Sequence, residues 1–157
     1  MRYVLVDRIV SLAPGVRLRA FKCVTATDGA AVSDGAGMPH LPGTMLLEAM
    51  AQTAGLLVVA STACASQPVL AKVQAFAMMR APVAGDRIEL HAVLEDMRAE
   101  GARLRVEAVV DDENIASADI FLGLLPIVRP EDRVLLGGRL AALFPDWFAR
   151  SFQEAQS

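Results

Sequence analysis

Apolar and polar residues alternate over residues 3–10, and again over 16–24, where Val16, Leu18, Ala20 and Cys23 are interleaved with Arg17, Arg19 and Lys22. A period of two puts alternate side chains on opposite faces of a strand. The Pro14-Gly15 pair between the runs supplies a turn, so the opening predicts an antiparallel hairpin. A polar, glycine-containing stretch without a clear period, 25–42, then predicts a loop. It ends in Leu41-Pro42-Gly43, and a long apolar helix opens at Thr44 or its neighbours. Further alternating runs predict strands at 69–79, 86–97, 103–110 and 115–124, with turns at 82–85, Glu100-Gly101 and 111–114. Two strands, one helix and a run of closely spaced strands suit an α+β domain whose antiparallel sheet wraps a single helix.

The helical stretch 45–65 carries a single charge, Glu48. Its length would admit a membrane span. Yet Glu48, Gln52, Ser61 and Thr62 would all need partners in lipid, and a carboxylate at the bilayer centre costs about 2.5–3.5 kcal/mol on insertion scales. A helix buried inside a protein accounts for the same composition, and no membrane partner is expected. Such a helix needs cover on every side, which predicts pairing of two subunits through continuous sheets.

Composition narrows the class. With 157 residues the chain holds one core, and 54% hydrophobic residues exclude a disordered chain. A formal charge of −3 argues against nucleic-acid binding through bulk charge. Cys23 and Cys64 have neither metal-site spacing nor the number for a disulfide framework. The opening residues are interrupted too soon by Asp7 and Arg8 to read as a signal peptide, so a cytoplasmic location is expected. There is no P-loop, no G-x-G-x-x-G after a strand and no His/Cys cluster, and hence no expected cofactor or metal. In the tail, Phe144, Trp147, Phe148 and Phe152 share one face of a predicted amphipathic helix, either packing on the outside of the sheet or meeting another subunit or carrier partner.

The candidate chemistry lies in Leu41 to Gly55, LPGTMLLEAMAQTAG. A Pro-Gly turn leads into a helix whose first N–H groups have no partner within the helix. Glu48 and Gln52, four residues apart, share a face. A carboxylate in apolar surroundings is expected to have a raised pKa unless it is paired. A Glu–Gln hydrogen bond that merely fixes the helix explains the spacing equally well.

These residues resemble the FabZ/FabA type of 3-hydroxyacyl-acyl carrier protein dehydratases, which have the hotdog fold. The resemblance starts at Tyr3-Val-Leu-Val-Asp-Arg, similar to the family's F-L-L-V-D-R-V, and is strongest at PGTMLLEAMAQTAG, close to P-G-V-L-x-x-E-A-M-A-Q. RAPVAGDRIEL, from Arg80 to Leu90, is similar to R-P-V-x-P-G-D-x-L. It covers residues 1 to about 125 as a hotdog dehydratase-like domain and leaves 126–157 as a tail.

The resemblance implies β-elimination of water from a 3-hydroxyacyl thioester on acyl carrier protein or coenzyme A, in fatty-acid or polyketide biosynthesis. Glu48 matches the family's helix carboxylate, which handles the departing hydroxyl, and Gly43 matches the amide donor to the thioester carbonyl. Gln52 supports the helix face. Arg80 matches an arginine expected to meet an anionic carrier protein, and Lys72 is added from charge alone. The family's histidine base, however, lands on Asp34, fourteen residues before Glu48, where Ser33-Asp34-Gly35-Ala36-Gly37 replaces G-H-F-P-G. His40 is an alternative base if the loop takes another path, and His91 reads as a packing or surface residue of a strand. Three readings stand: a dehydratase, homodimeric or larger, with Asp34 or His40 as base; a non-catalytic subunit paired with a histidine-containing homologue; and a hotdog thioesterase using Asp34 and Glu48.

Overall fold

The computed structural model describes residues 4–28 and 37–144. In chain order the elements are β1 (Arg8–Ala13), β2 (Arg17–Cys23), α1 (Gly43–Ser61), β3 (Ser66–Met78), β4 (Arg87–Met97), β5 (Gly101–Val110), β6 (Glu113–Pro126) and α2 (Pro130–Leu143). The strands form one antiparallel sheet in the order β1-β2-β4-β5-β6-β3. The sheet wraps α1, which gives the hotdog arrangement.

Alternation along the strands builds the inner face. In β5 the buried side chains are Ala102, Leu104, Val106, Ala108 and Val110, and in β4 they are Ile88, Leu90 and Ala92. Leu46, Met50 and Leu57 of α1 are fully buried against this face. Alanines on both sides, among them Ala49 and Ala54 on the helix and Ala108 and Ala118 on the sheet, keep the two layers close. The 19-residue α1 is long and apolar enough to cross a membrane, but ten of its residues are buried within the domain. It is the core helix.

The hairpin turn forms where expected. Val16 N–H donates to Ala13 O at 3.0 Å, and Gly15 takes the positive φ of 76° that a Pro-Gly turn requires. The first strand starts later than the alternation suggests, at Arg8. Leu5 and Val6 are buried all the same, but the Leu5 N–H bonds a side chain of α1 instead of a neighbouring strand. At its far end α1 stops at Ser61, short of residue 65. Ala63 and Cys64 turn left-handed, and Cys64 N–H reaches back to Val59 O at 2.8 Å. Ser61 Oγ then accepts from Gly15 N–H at 2.8 Å, fixing the hairpin turn to the helix end.

A helix forms at Pro130–Leu143, upstream of the predicted one, and it packs against α1. Leu136, Leu140, Leu143 and Phe144 turn inward at spacings of four, three and one. Trp147, Phe148 and Phe152 lie outside the described residues. The start signals of α2 are conventional: Pro130 in the first turn, followed by Glu131 and Asp132 where the helix dipole favours acids.

Candidate active site

α1 starts without a side-chain cap. Pro42 is extended (φ −60°, ψ 148°), and its carbonyl accepts from both Met45 and Leu46 N–H at 3.0 Å. The N–H groups of Gly43 and Thr44 meet no acceptor among the described residues and form the open, electropositive end of the helix. Gly43 also permits a close approach. A β-carbon there would lie 3.4 Å from the Met78 thioether and 4.0 Å from the Phe76 ring. Phe76 lies within, and Met78 just after, a bulge in β3, where Ala75 has φ 49° and the pairing with β6 shifts register between Gln74 and Ala77.

The loop into α1 is held by the segment from Arg80 to Leu90. Leu41 N–H donates to Pro82 O (2.8 Å) and Ala84 N–H to Pro39 O (2.9 Å), pairing His40 with Val83. Asp86 Oδ2 in turn accepts from Val83 N–H (2.9 Å) and Arg80 Nη1 (3.1 Å), and Arg80 Nε lies 3.8 Å from Glu113. Arg80 therefore fastens the turn that positions the helix entrance. Lys72 sits over the Phe121 ring, 5.9 Å from its centroid.

Glu48 lies five residues into the helix, about 7.5 Å along the axis from Gly43. Its carboxylate accepts from Gln52 Nε2 at 3.2 Å, while Gln52 Oε1 accepts from Leu5 N–H at 2.8 Å. The carboxamide thus joins the N-terminal segment to the helix carboxylate. Glu48 is exposed in the single chain, because this face of α1 opens into a cleft of about 700 Å³. Apolar walls come from Leu5, Met45, Leu56, Val59, Leu70 and Leu143; the polar side chains are those of Glu48, Gln52, Gln67 and Arg139.

Of the expected site residues, Glu48 and Gln52 meet in the cleft and Gly43 stands just above it. His40, Arg80 and Lys72 do not line it. Asp34 lies outside the described residues. His91 pairs with Glu89 on β4, Nε2 to Oε2 3.1 Å. Among the described residues no group of three His, Cys, Asp or Glu could hold a metal ion. Sequence reasoning missed the Leu5 N–H, which carries no side-chain signal. It also missed Arg139, which the start signals of α2 could have pointed to.

No family model matches the sequence. A FabZ 3-hydroxyacyl-(acyl-carrier-protein) dehydratase from Anaeromyxobacter sp. is 38% identical over 130 residues, covering 78% of this chain and 80% of the relative. The chain belongs to the FabZ dehydratase family. The FabZ of Listeria monocytogenes is 31% identical over 123 residues, covering 78% of this chain and 85% of its own.

Solved structures agree on the fold. The dehydratase heterocomplex ApeI:P from Xenorhabdus doucetiae superposes with a TM-score of 0.66 at 14% identity, over 85% of this chain and 88% of that one. A hypothetical thioesterase with coenzyme A from Streptococcus pneumoniae gives 0.64 at 12% identity, over 76% and 85%. At such identities the likeness is one of fold alone. Within that fold, an open helix start above a hydrogen-bonded carboxylate in an apolar cleft can polarise a carbonyl and exchange a proton with a group beside it.

Proposed function

We propose that this protein dehydrates 3-hydroxyacyl thioesters of fatty-acid or polyketide biosynthesis, carried on acyl carrier protein or coenzyme A, in the cytoplasm. The observation that carries the reading is the Leu5–Gln52–Glu48 chain of hydrogen bonds, which holds one carboxylate at the wall of an apolar cleft below the open start of α1. The thioester carbonyl accepts from the Gly43 N–H, which stabilises the charge that develops on oxygen as the α-proton leaves. A base takes that proton. The electron pair forms the Cα–Cβ double bond, the Cβ–O bond breaks, and Glu48 in its protonated form donates to the departing hydroxyl, releasing water. Asp34, in the family's histidine position, is the proposed base, with His40 as the alternative.

Cover for the helix face comes from a second subunit. β3 is an edge strand that exposes Val69, Leu70, Phe76 and Met78, and pairing two such edges would extend the sheet and cover the cleft side of α1. A carboxylate base is weak, which supports a second reading in which the partner is a histidine-containing homologue and this chain lends Glu48 and a cleft wall. Incubating the purified protein with a 3-hydroxyacyl thioester and following enoyl thioester formation tests both. Activity of the lone protein, raised by Asp34→His and lost in Glu48→Gln, supports the dehydratase. Silence that a histidine-containing homologue relieves supports the paired subunit, and release of free thiol instead would make the protein a thioesterase.

A further inference from the structure

Arg139 stands apart from the other cleft residues. It projects from α2, beyond the part of the chain that resembles the family, and among the described residues it is the only cation lining the cleft that holds Glu48. Several described arginines are engaged elsewhere: Arg19 pairs with Glu89, Arg80 with Asp86, Arg103 with Glu95 and Arg105 with Asp119, while Arg133 donates to Ala63 O at 3.0 Å. Arg139 makes no ion pair or hydrogen bond among the described residues. It also lines a second cavity of about 390 Å³, which shares Gln67 and Leu136 with the main cleft. Arg139 therefore stands where the two spaces meet.

From Glu48 the cleft continues along α1 as far as Val59, about 16 Å at 1.5 Å per residue. Its walls between those ends are almost entirely apolar. A guanidinium without a carboxylate partner, beside such walls, suits a ligand with an aliphatic body and an oxyanion at a distance from its reacting centre. We infer that Arg139 binds an oxyanion carried by the thioester substrate, at the junction of the cleft and the second cavity. The oxyanion has two sources with the same chemistry: the phosphate of the pantetheine arm, or a carboxylate at the far end of the acyl chain. Asp132 at the second cavity does not neutralise Arg139 by contact, and Arg129 there adds positive charge.

This inference rests on the thioester reading, so its test measures binding and not turnover, in the Glu48→Gln background where no elimination is expected. Three saturated acyl thioesters serve as probes in calorimetric titrations: a coenzyme A ester, the same acyl group on N-acetylcysteamine (which has no phosphate), and an ω-carboxyacyl N-acetylcysteamine ester. Arg139→Gln is expected to weaken binding of an anionic probe about tenfold, with the wild-type affinity falling as salt is raised. Loss confined to the coenzyme A ester assigns the phosphate; loss confined to the ω-carboxy ester assigns the chain terminus. Equal affinities of Arg139 and Arg139→Gln proteins for all three probes overturn the inference. If no probe binds either protein, the thioester reading itself fails. Arg139 is exposed, so an unchanged melting temperature of the variant separates loss of binding from loss of fold.

Discussion

Gln52 joins Glu48 to the backbone of Leu5, accepting from one (2.8 Å) and donating to the other (3.2 Å) across 47 and 4 residues of sequence. The half-buried carboxamide uses both of its ends, so its orientation is determined, and with it the oxygen of Glu48 that it holds. Replacing Gln52 by Leu leaves a buried N–H without an acceptor and a carboxylate without its donor. We expect a loss of about 1–3 kcal/mol in urea unfolding and a fall in dehydration. Glu48→Gln can still accept from Gln52, so the same two measurements should show full stability with no elimination.

Pairing of β3 edges should depend on its exposed apolar residues. Val69 is about half exposed and does not line the cleft. A lysine there meets its counterpart or a hydrophobic neighbour across the edge, so Val69→Lys should shift sedimentation equilibrium toward the monomer at micromolar concentration. A wild-type protein that is already monomeric would remove this arrangement.

The β5–β6 connection is a two-residue turn in which Asp111 and Asp112 both have positive φ, 49° and 64°. This is the type I′ geometry, in which glycine is preferred at the second position. Asp112→Gly should raise stability by about 0.5–1 kcal/mol, seen as a higher melting temperature with no change in ligand binding.

Burial pushes the Cys64 thiol up, with the Arg133 guanidinium opposing in part. The folded thiol keeps its proton to higher pH than the unfolded one. Its contribution is therefore complete below the unfolded thiol's pKa and is lost as pH rises toward the folded value. Urea midpoints should fall across that alkaline window, and Cys64→Ala should flatten the fall. At neutral pH an alkylating reagent should label exposed Cys23 first, with Cys64 reacting fully only after unfolding, as mass spectrometry would show.

Local order was legible in the chain. Strand alternation, the Pro14-Gly15 turn, the apolar run of α1 and the shared face of Glu48 and Gln52 all follow from periods of two and 3.6, which depend only on near neighbours. The E-A-M-A-Q segment further marked the family. Tertiary structure alone decided what lies opposite each residue: β3 at the edge beside β6, Leu5 and Gly15 bonded to α1 across 47 and 46 residues, Arg80 engaged by Asp86, and α2 folded back to bring Arg139 to the cleft. The reason is physical. A backbone N–H or a guanidinium carries the same local signal whatever its partner, and only the packed fold, by removing water from both, determines which groups must meet.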